Sequence, residues 1–183
     1  MSPLIRKSVL VAGAALLLTA LAPAASAQSG SARSTRAVTV DRLSLRLAAD
    51  PRQVANVQGG ATANGTPVIQ YPWTGQPNER WEATPTGGGY YRFTSFASGK
   101  CLNVQGGGTA DGTPVIIYTC GGYDNEQWKL VPKGIGYQIV AKSSGKCLNV
   151  RGAVGVGNAL VQYTCTADGA PNDVWLPVWE PAD

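Results

Sequence analysis

Three near-copies of one motif, spaced about 47 residues apart, limit what this chain can fold into more than any other feature. Residues 100–104 read KCLNV, residues 146–150 read KCLNV again, and residues 53–57 give the diverged form QVANV. Further on, GTPVIQY at 65–71 matches GTPVIIY at 112–118, and NALVQY at 158–163 fills the third slot. Each copy closes on a tryptophan, in NERW at 78–81, NEQW at 125–128 and NDVW at 172–175. Trp81, Trp128 and Trp175 are spaced by 47 and 47, and Asn56, Asn103 and Asn149 by 47 and 46. A repeat of this length is one supersecondary unit that cannot bury its apolar face alone, so the copies must pack on one another.

Within the middle copy the pattern predicts short strands near 102–104, 114–120, 127–132 and 136–141. Asp111-Gly112 and its counterpart Asn64-Gly65 suit tight turns that need positive φ, as do Gly134 and Gly136, and the third copy inverts the pair to Gly157-Asn158. Nowhere does an apolar stripe of period 3.6 persist long enough for a helix, so the chain reads as all-β. Three units are too few for a propeller of four to eight blades, and a solenoid would leave open ends. Three four-stranded units closing around a pseudo-threefold axis remove the sheet edges, which is a β-trefoil. Trp81, Trp128 and Trp175 then supply a shared core, each ring N–H needing an acceptor. Leu43, Leu45 and Leu47 alternate with polar residues and predict the strand that precedes repeat one, matching Tyr91 to Thr94 and Tyr137 to Val140. The repeats run from about 43–90, 91–136 and 137–183, with Trp179 expected to pack the closing end of the ring.

The N-terminal segment reads as an export signal. Arg6 and Lys7 precede an apolar run from Val9 to Leu21 that ends in Ala25, Ser26 and Ala27. That run is shorter than the ~18 to 20 residues of a membrane span, so cleavage before Gln28 and secretion are expected, with no membrane span in the remainder. Residues 28–42 read as a flexible leader rich in Ser, Arg and Ala. The 156 residues after 27 carry thirteen Lys and Arg against eleven Asp and Glu, a net charge of +2 without the concentrated basic stripe of a nucleic-acid binder.

Four cysteines in an exported chain favour two disulfides. Cys101 and Cys120 occupy the same slots as Cys147 and Cys165, whereas repeat one has Val54 and Trp73 there. Joint loss points to pairing inside a repeat, Cys101 with Cys120 and Cys147 with Cys165; the other two connectivities lack that logic. The chain has no His and no Cys-x-x-Cys pair, which argues against a metal site and removes every His-dependent triad. No cofactor is implied.

KCLNV, DGTPVIIYTC and NEQW together resemble the ricin-B lectin repeat, which also includes family 13 carbohydrate-binding modules, over residues 43 to 183 in three copies. The resemblance implies a carbohydrate-binding monomer with one shallow sugar pocket per repeat, recognising galactose- or xylose-type glycans. It assigns Asn56, Tyr71 and Asn78 to the first pocket, Asn103, Tyr118 and Asn125 to the second, and Asn149, Tyr163 and Asn172 to the third. An aromatic face covers the C–H patch of a sugar, and amides both donate to and accept from hydroxyls. Hydrogen bonding within the turns accounts for the recurring Asn equally well.

This chain departs from that family at three points. The family's usual first contact is Asp, and all three copies carry Asn. The usual Gln two residues before the aromatic is replaced by Ile69, Ile116 and Val161, with Gln70 and Gln162 one residue later, on the opposite face of a regular strand. The usual Gln two residues before Trp is replaced by Glu79, Glu126 and Asp173, whose carboxylates are expected to accept from sugar hydroxyls. Their threefold recurrence sets these carboxylates apart around the ring and argues against a paired general acid and base, so no catalytic residue is expected. The rival reading is a protein-binding trefoil, such as a protease inhibitor or toxin-associated adaptor, using one extended loop; the longest are Thr119 to Asn125 and Thr164 to Asn172.

Overall fold

The structure, a computed structural model, describes residues 40–180; the expected export signal, its expected cleavage point and most of the expected leader lie outside the described residues. Among the described residues there are twelve strands, four short 3-10 turns and no α-helix. The strands fall into three sets of four. The first set is β1 (Val40–Leu47), β2 (Gln53–Val57), β3 (Val68–Pro72) and β4 (Trp81–Gly87). The second is β5 (Tyr90–Ser95), β6 (Cys101–Val104), β7 (Val115–Tyr118) and β8 (Trp128–Lys133). The third is β9 (Gly136–Ala141), β10 (Cys147–Val150), β11 (Leu160–Tyr163) and β12 (Trp175–Trp179).

The first and last strands of each set form a closed antiparallel ring, β1 to β4, β4 to β5, β5 to β8, β8 to β9, β9 to β12 and β12 back to β1. The inner hairpins, β2–β3, β6–β7 and β10–β11, join the ring through β1, β5 and β9. Closure leaves the ring without an edge strand. This is a β-trefoil. The register equates Arg46, Thr94 and Val140 as partners of β2, β6 and β10, which puts Leu45, Phe93 and Ile139 at the same buried position. Trp81, Trp128 and Trp175 are fully buried in one shared core. Their ring N–H groups donate to the carbonyls of Ala55, Leu102 and Leu148 at 3.1, 2.9 and 2.9 Å, the acceptor that a buried indole requires.

Each repeat passes a turn to the next. Gly65, Gly112 and Gly157 have φ of 86°, 81° and 83°, where a Cβ is unfavourable, and their N–H groups donate to the carbonyls of Ile117, Gln162 and Gln70 across the repeat boundary. Ile117, Gln162 and Gln70 return an N–H to Thr66, Thr113 and Asn158. These paired exchanges tie the three hairpins to one another around the axis.

Disulfides join Cys101 to Cys120 and Cys147 to Cys165, the pairing inside each repeat. Trp179 departs from expectation. Its backbone pairs with Leu43, but its ring is 65 % exposed, because the core beneath is already filled by Trp81, Trp128 and Trp175.

Candidate functional site

Strand register brings each sequence-assigned trio together. Asn56 lies opposite Ile69 in the β2–β3 hairpin, so period-two alternation sets Asn56, Ile69 and Tyr71 on one face. The same pairing joins Asn103 to Ile116 beside Tyr118, and Asn149 to Val161 beside Tyr163. Asn78, Asn125 and Asn172 arrive from the loop before each core Trp, whose burial fixes their depth.

Nδ2 of Asn78 donates to Asn56 Oδ1 at 3.2 Å and to the Val57 carbonyl at 2.9 Å. Asn125 does the same to Asn103 Oδ1 and the Val104 carbonyl at 3.0 and 2.8 Å, and Asn172 to Asn149 Oδ1 and the Val150 carbonyl at 3.0 and 3.0 Å. Hydrogen bonding within the turn and a place beside the Tyr thus go together in one arrangement, in which the amide pair is held by the backbone it caps. The geometry also fixes polarity. Oδ1 of each strand Asn is taken by its partner, which leaves it the donor Nδ2, where an Asp would keep a second acceptor. Asn103 and Asn149 keep that Nδ2 free of any protein acceptor among the described residues, whereas Asn56 donates its own to Glu79 at 3.0 Å.

Each trio lines a shallow depression. That of repeat one, about 410 Å³, is lined by Asn56, Gln58, Ile69, Tyr71 and Asn78 among others. That of repeat two, about 350 Å³, contains Asn103, Gln105, Ile116, Tyr118, Tyr123 and Asn125. That of repeat three, also about 350 Å³, contains Asn149, Arg151, Val161, Tyr163, Thr166 and Asn172. The tyrosines stand at the rim, 42, 47 and 49 % exposed, with an aliphatic floor of Ile69, Ile116 or Val161. A glycine of the neighbouring repeat, Gly157, Gly65 or Gly112, completes each wall.

The acidic residues before each Trp have a different job from the one expected. Glu79, Glu126 and Asp173 are all buried, and a buried carboxylate must have its lone pairs filled. Glu79 accepts from the backbone N–H groups of Thr74, Gly75 and Gln76 at 2.8, 2.9 and 3.2 Å. Glu126 accepts from Gly121 and Gly122. Asp173 accepts from Thr166, Ala170 and the Gln138 amide at 3.1, 2.7 and 3.1 Å. They clamp the loop behind the pocket; Glu126 and Asp173, expected as carbohydrate contacts, are fully buried beneath it, while Glu79 borders the depression of repeat one. Nor do Gln70 and Gln162 reach the pockets. The strand is regular, so both amides lie buried on the far face, where Gln70 Oε1 accepts from Gly155 N–H at 2.8 Å and Gln162 Nε2 donates to the Gly108 carbonyl at 2.7 Å.

Three kinds of lining residue were not singled out from the sequence. Gln58, Gln105 and Arg151 each follow the Asn-Val of their strand, so the repeat itself carried that signal. The glycines from the next repeat and Tyr123, in the loop from Thr119 to Asn125, needed the threefold closure to be known first.

Residues 38–118 and 120–183 match the family model described as ricin-type β-trefoil lectin domain-like. Among solved structures, the designed 3-fold symmetric protein ThreeFoil is 35 % identical, with 75 % of this chain and 97 % of that chain covered and a TM-score of 0.71. An exo-β-1,3-galactanase from Clostridium thermocellum is 27 % identical with a TM-score of 0.71; 76 % of this chain is covered, which spans 30 % of the galactanase chain. The Rhizoctonia solani agglutinin, at 20 % identity, a TM-score of 0.67 and coverage of 80 % and 98 %, shares the fold. No protein of curated function matches.

Proposed function

This chain belongs to the ricin-type β-trefoil lectin domain-like family, and from that membership we propose that it is a secreted, non-catalytic carbohydrate-binding module with one shallow pocket per repeat. The lectin family supports carbohydrate binding in general. The single observation that carries the finer reading is the threefold recurrence of a rigid Asn–Asn pair beside an exposed Tyr over an aliphatic floor. A pyranose laid on that floor meets an aromatic face and a fixed amide, the two chemistries its C–H patch and hydroxyls need. Galactose- and xylose-type glycans are the proposed ligands, and the galactanase similarity supports galactose among them.

Each site is weak, because a shallow pocket competes with water for every hydrogen bond, and the protein gains strength by engaging two or three sites on one polymer. The free Nδ2 of Asn103 and Asn149 makes pockets two and three the stronger pair. Two disulfides accord with export, and among the described residues no helix is long and apolar enough to cross a membrane. The proposed state is a monomer acting through its own three pockets.

A glycan array followed by titration of the Tyr71→Ala, Tyr118→Ala and Tyr163→Ala variants tests this. Removing one stacking ring lowers affinity at its own site by roughly two- to twelvefold, the effect of ~0.5 to 1.5 kcal/mol, and the loss from Tyr71→Ala is the smallest. An array without hits, together with tight protease inhibition, overturns the reading in favour of the protein-binding trefoil.

A further inference from the structure

The three pockets share one frame, but they differ in charge at one matched position. The residue after the conserved Asn-Val is Gln58 in repeat one, Gln105 in repeat two and Arg151 in repeat three, and each lines its own pocket. Arg151 is exposed at the rim. It donates one N–H from Nη2 to the carbonyl of Gly112, itself a wall residue supplied by repeat two, at 3.2 Å. That bond orients the guanidinium against the wall while its remaining N–H groups meet no acceptor among the described residues.

Two carboxylates of this region are already engaged. Asp111, next to Gly112, pairs with Lys146 Nζ at 2.6 Å and accepts from the N–H and hydroxyl of Thr164 at 2.9 and 3.1 Å. Asp173 is buried beneath the loop and filled by the donors named above. A wall cation with an unfilled fork, beside a pocket built on the same Asn–Asn–Tyr frame as its siblings, is the arrangement that recognises a planar carboxylate.

We propose that the pocket of repeat three selects an acidic sugar, a pyranose bearing a carboxylate, while pockets one and two take neutral sugars. This rests on the carbohydrate-binding reading and deepens it. The sugar ring sits as in the other pockets, between Tyr163 and the Asn149–Asn172 pair, and its carboxylate meets the Arg151 fork at the rim. A glycan carrying both neutral residues and uronic acids would then engage the three pockets together, with the acidic residue setting which repeat meets which part of the polymer.

Amide shifts of Gly152 and Thr164 report pocket three, and those of Gly106 and Thr119 report pocket two, in titrations with methyl galactoside, methyl galacturonide and acetate at matched ionic strength. The expected result is a galacturonide affinity at pocket three roughly five- to tenfold above that of the galactoside, with no such preference at pocket two and no response to acetate. The preference shrinks as salt rises, since the rim is exposed. Arg151→Gln, which copies the residue of the other two repeats, lowers the acid-to-neutral ratio at pocket three to that of pocket two. Arg151→Lys keeps the charge but loses the fork and gives an intermediate ratio. Neutral binding at all pockets with no acid preference at pocket three, a ratio unchanged in Arg151→Gln, or an equal response to acetate overturns this proposal alone. No binding of either sugar at any pocket overturns it together with the reading on which it rests.

Discussion

Repeat one and its two siblings fill the same places by different means. In repeats two and three a disulfide joins the start of the inner hairpin to the loop that follows it. Repeat one has Val54, fully buried, and Trp73, half-buried, in those slots. Over the Trp73 ring lie the guanidinium groups of Arg46 at 4.6 Å and Arg80 at 5.9 Å. Arg46 is anchored in turn by Glu180 at 2.7 Å and by the Ser44 hydroxyl at 2.8 Å, and Ser44 donates to the same carboxylate. The repeat without a cross-link is therefore the one that clasps the first strand of the trefoil to the end of the last.

The repeat boundaries differ in the same way. Asn64 Oδ1 accepts from the Thr119 N–H at 3.0 Å and Asp111 Oδ1 from the Thr164 N–H at 2.9 Å, each fastening one repeat to the next. At the third boundary the matched residues are Val156 and Pro72, which offer neither an acceptor nor an N–H, and the Gln70 amide takes Gly155 instead. Disulfides constrain chiefly the unfolded chain, whereas the Trp73 stack and the Glu180 clasp act only in the folded one. Repeat one thus holds by contacts that a single substitution can remove.

The largest effect tests whether the core ignores this difference. Trp81→Ala, Trp128→Ala and Trp175→Ala each lower unfolding free energy by ~3 to 5 kcal/mol in urea titrations, because each ring is fully buried with its N–H satisfied. A cost for Trp81→Ala less than half that of the other two would break the equivalence of the three core positions.

Next comes the cross-link itself. Replacing Cys147 and Cys165 together with Ser, or Cys101 and Cys120 together, lowers stability by about 3 kcal/mol on the chain-entropy model, in loops closed over separations of 18 and 19 residues. Trp73→Ala falls below that, at ~1 to 2 kcal/mol, the scale of partly desolvated cation–π contacts. The same urea titrations rank the two. A Trp73→Ala cost equal to that of losing a disulfide would make the stack a full substitute for the bond it replaces.

Most of this fold was legible in the sequence, because a period-47 repeat with matched cysteines and tryptophans leaves few closed solutions. The Asn–Asn–Tyr trios were legible for a related reason, since alternation along a regular hairpin fixes which side chains share a face. What escaped was set by depth and by closure. Glu126 and Asp173 look like surface acceptors in a string of letters, and only the loop folded over them shows that backbone N–H groups fill their lone pairs. Trp179 reads as packing the closing end of the ring, yet it is left exposed while Trp81, Trp128 and Trp175 fill the core. The glycine wall of each pocket comes from another repeat, and no local pattern announces a neighbour.

The smallest effect separates the two Asx boundaries from each other. Asn64 does not titrate, but Asp111 does, and the hydrogen bond from Lys146, aided by those from Thr164, holds its carboxyl below the usual value of 3.8. A carboxyl lowered by folding contributes stability that is present above the unfolded value and is lost as pH falls through the folded one. The boundary between repeats two and three should therefore loosen below about pH 3.8, while that between one and two, built on a neutral amide, keeps its bonds. Asp111 is exposed, so the stake is small. Thermal unfolding of Asp111→Asn and the parent chain between pH 2 and pH 6 reads it out. The parent is the more stable above the window, and the two curves converge below it as the carboxylate is protonated and the Lys146 pair is lost. A gap between them that stays constant across the whole range would mean that the charge contributes nothing there, and that Asp111 holds Thr164 only as Asn64 holds Thr119.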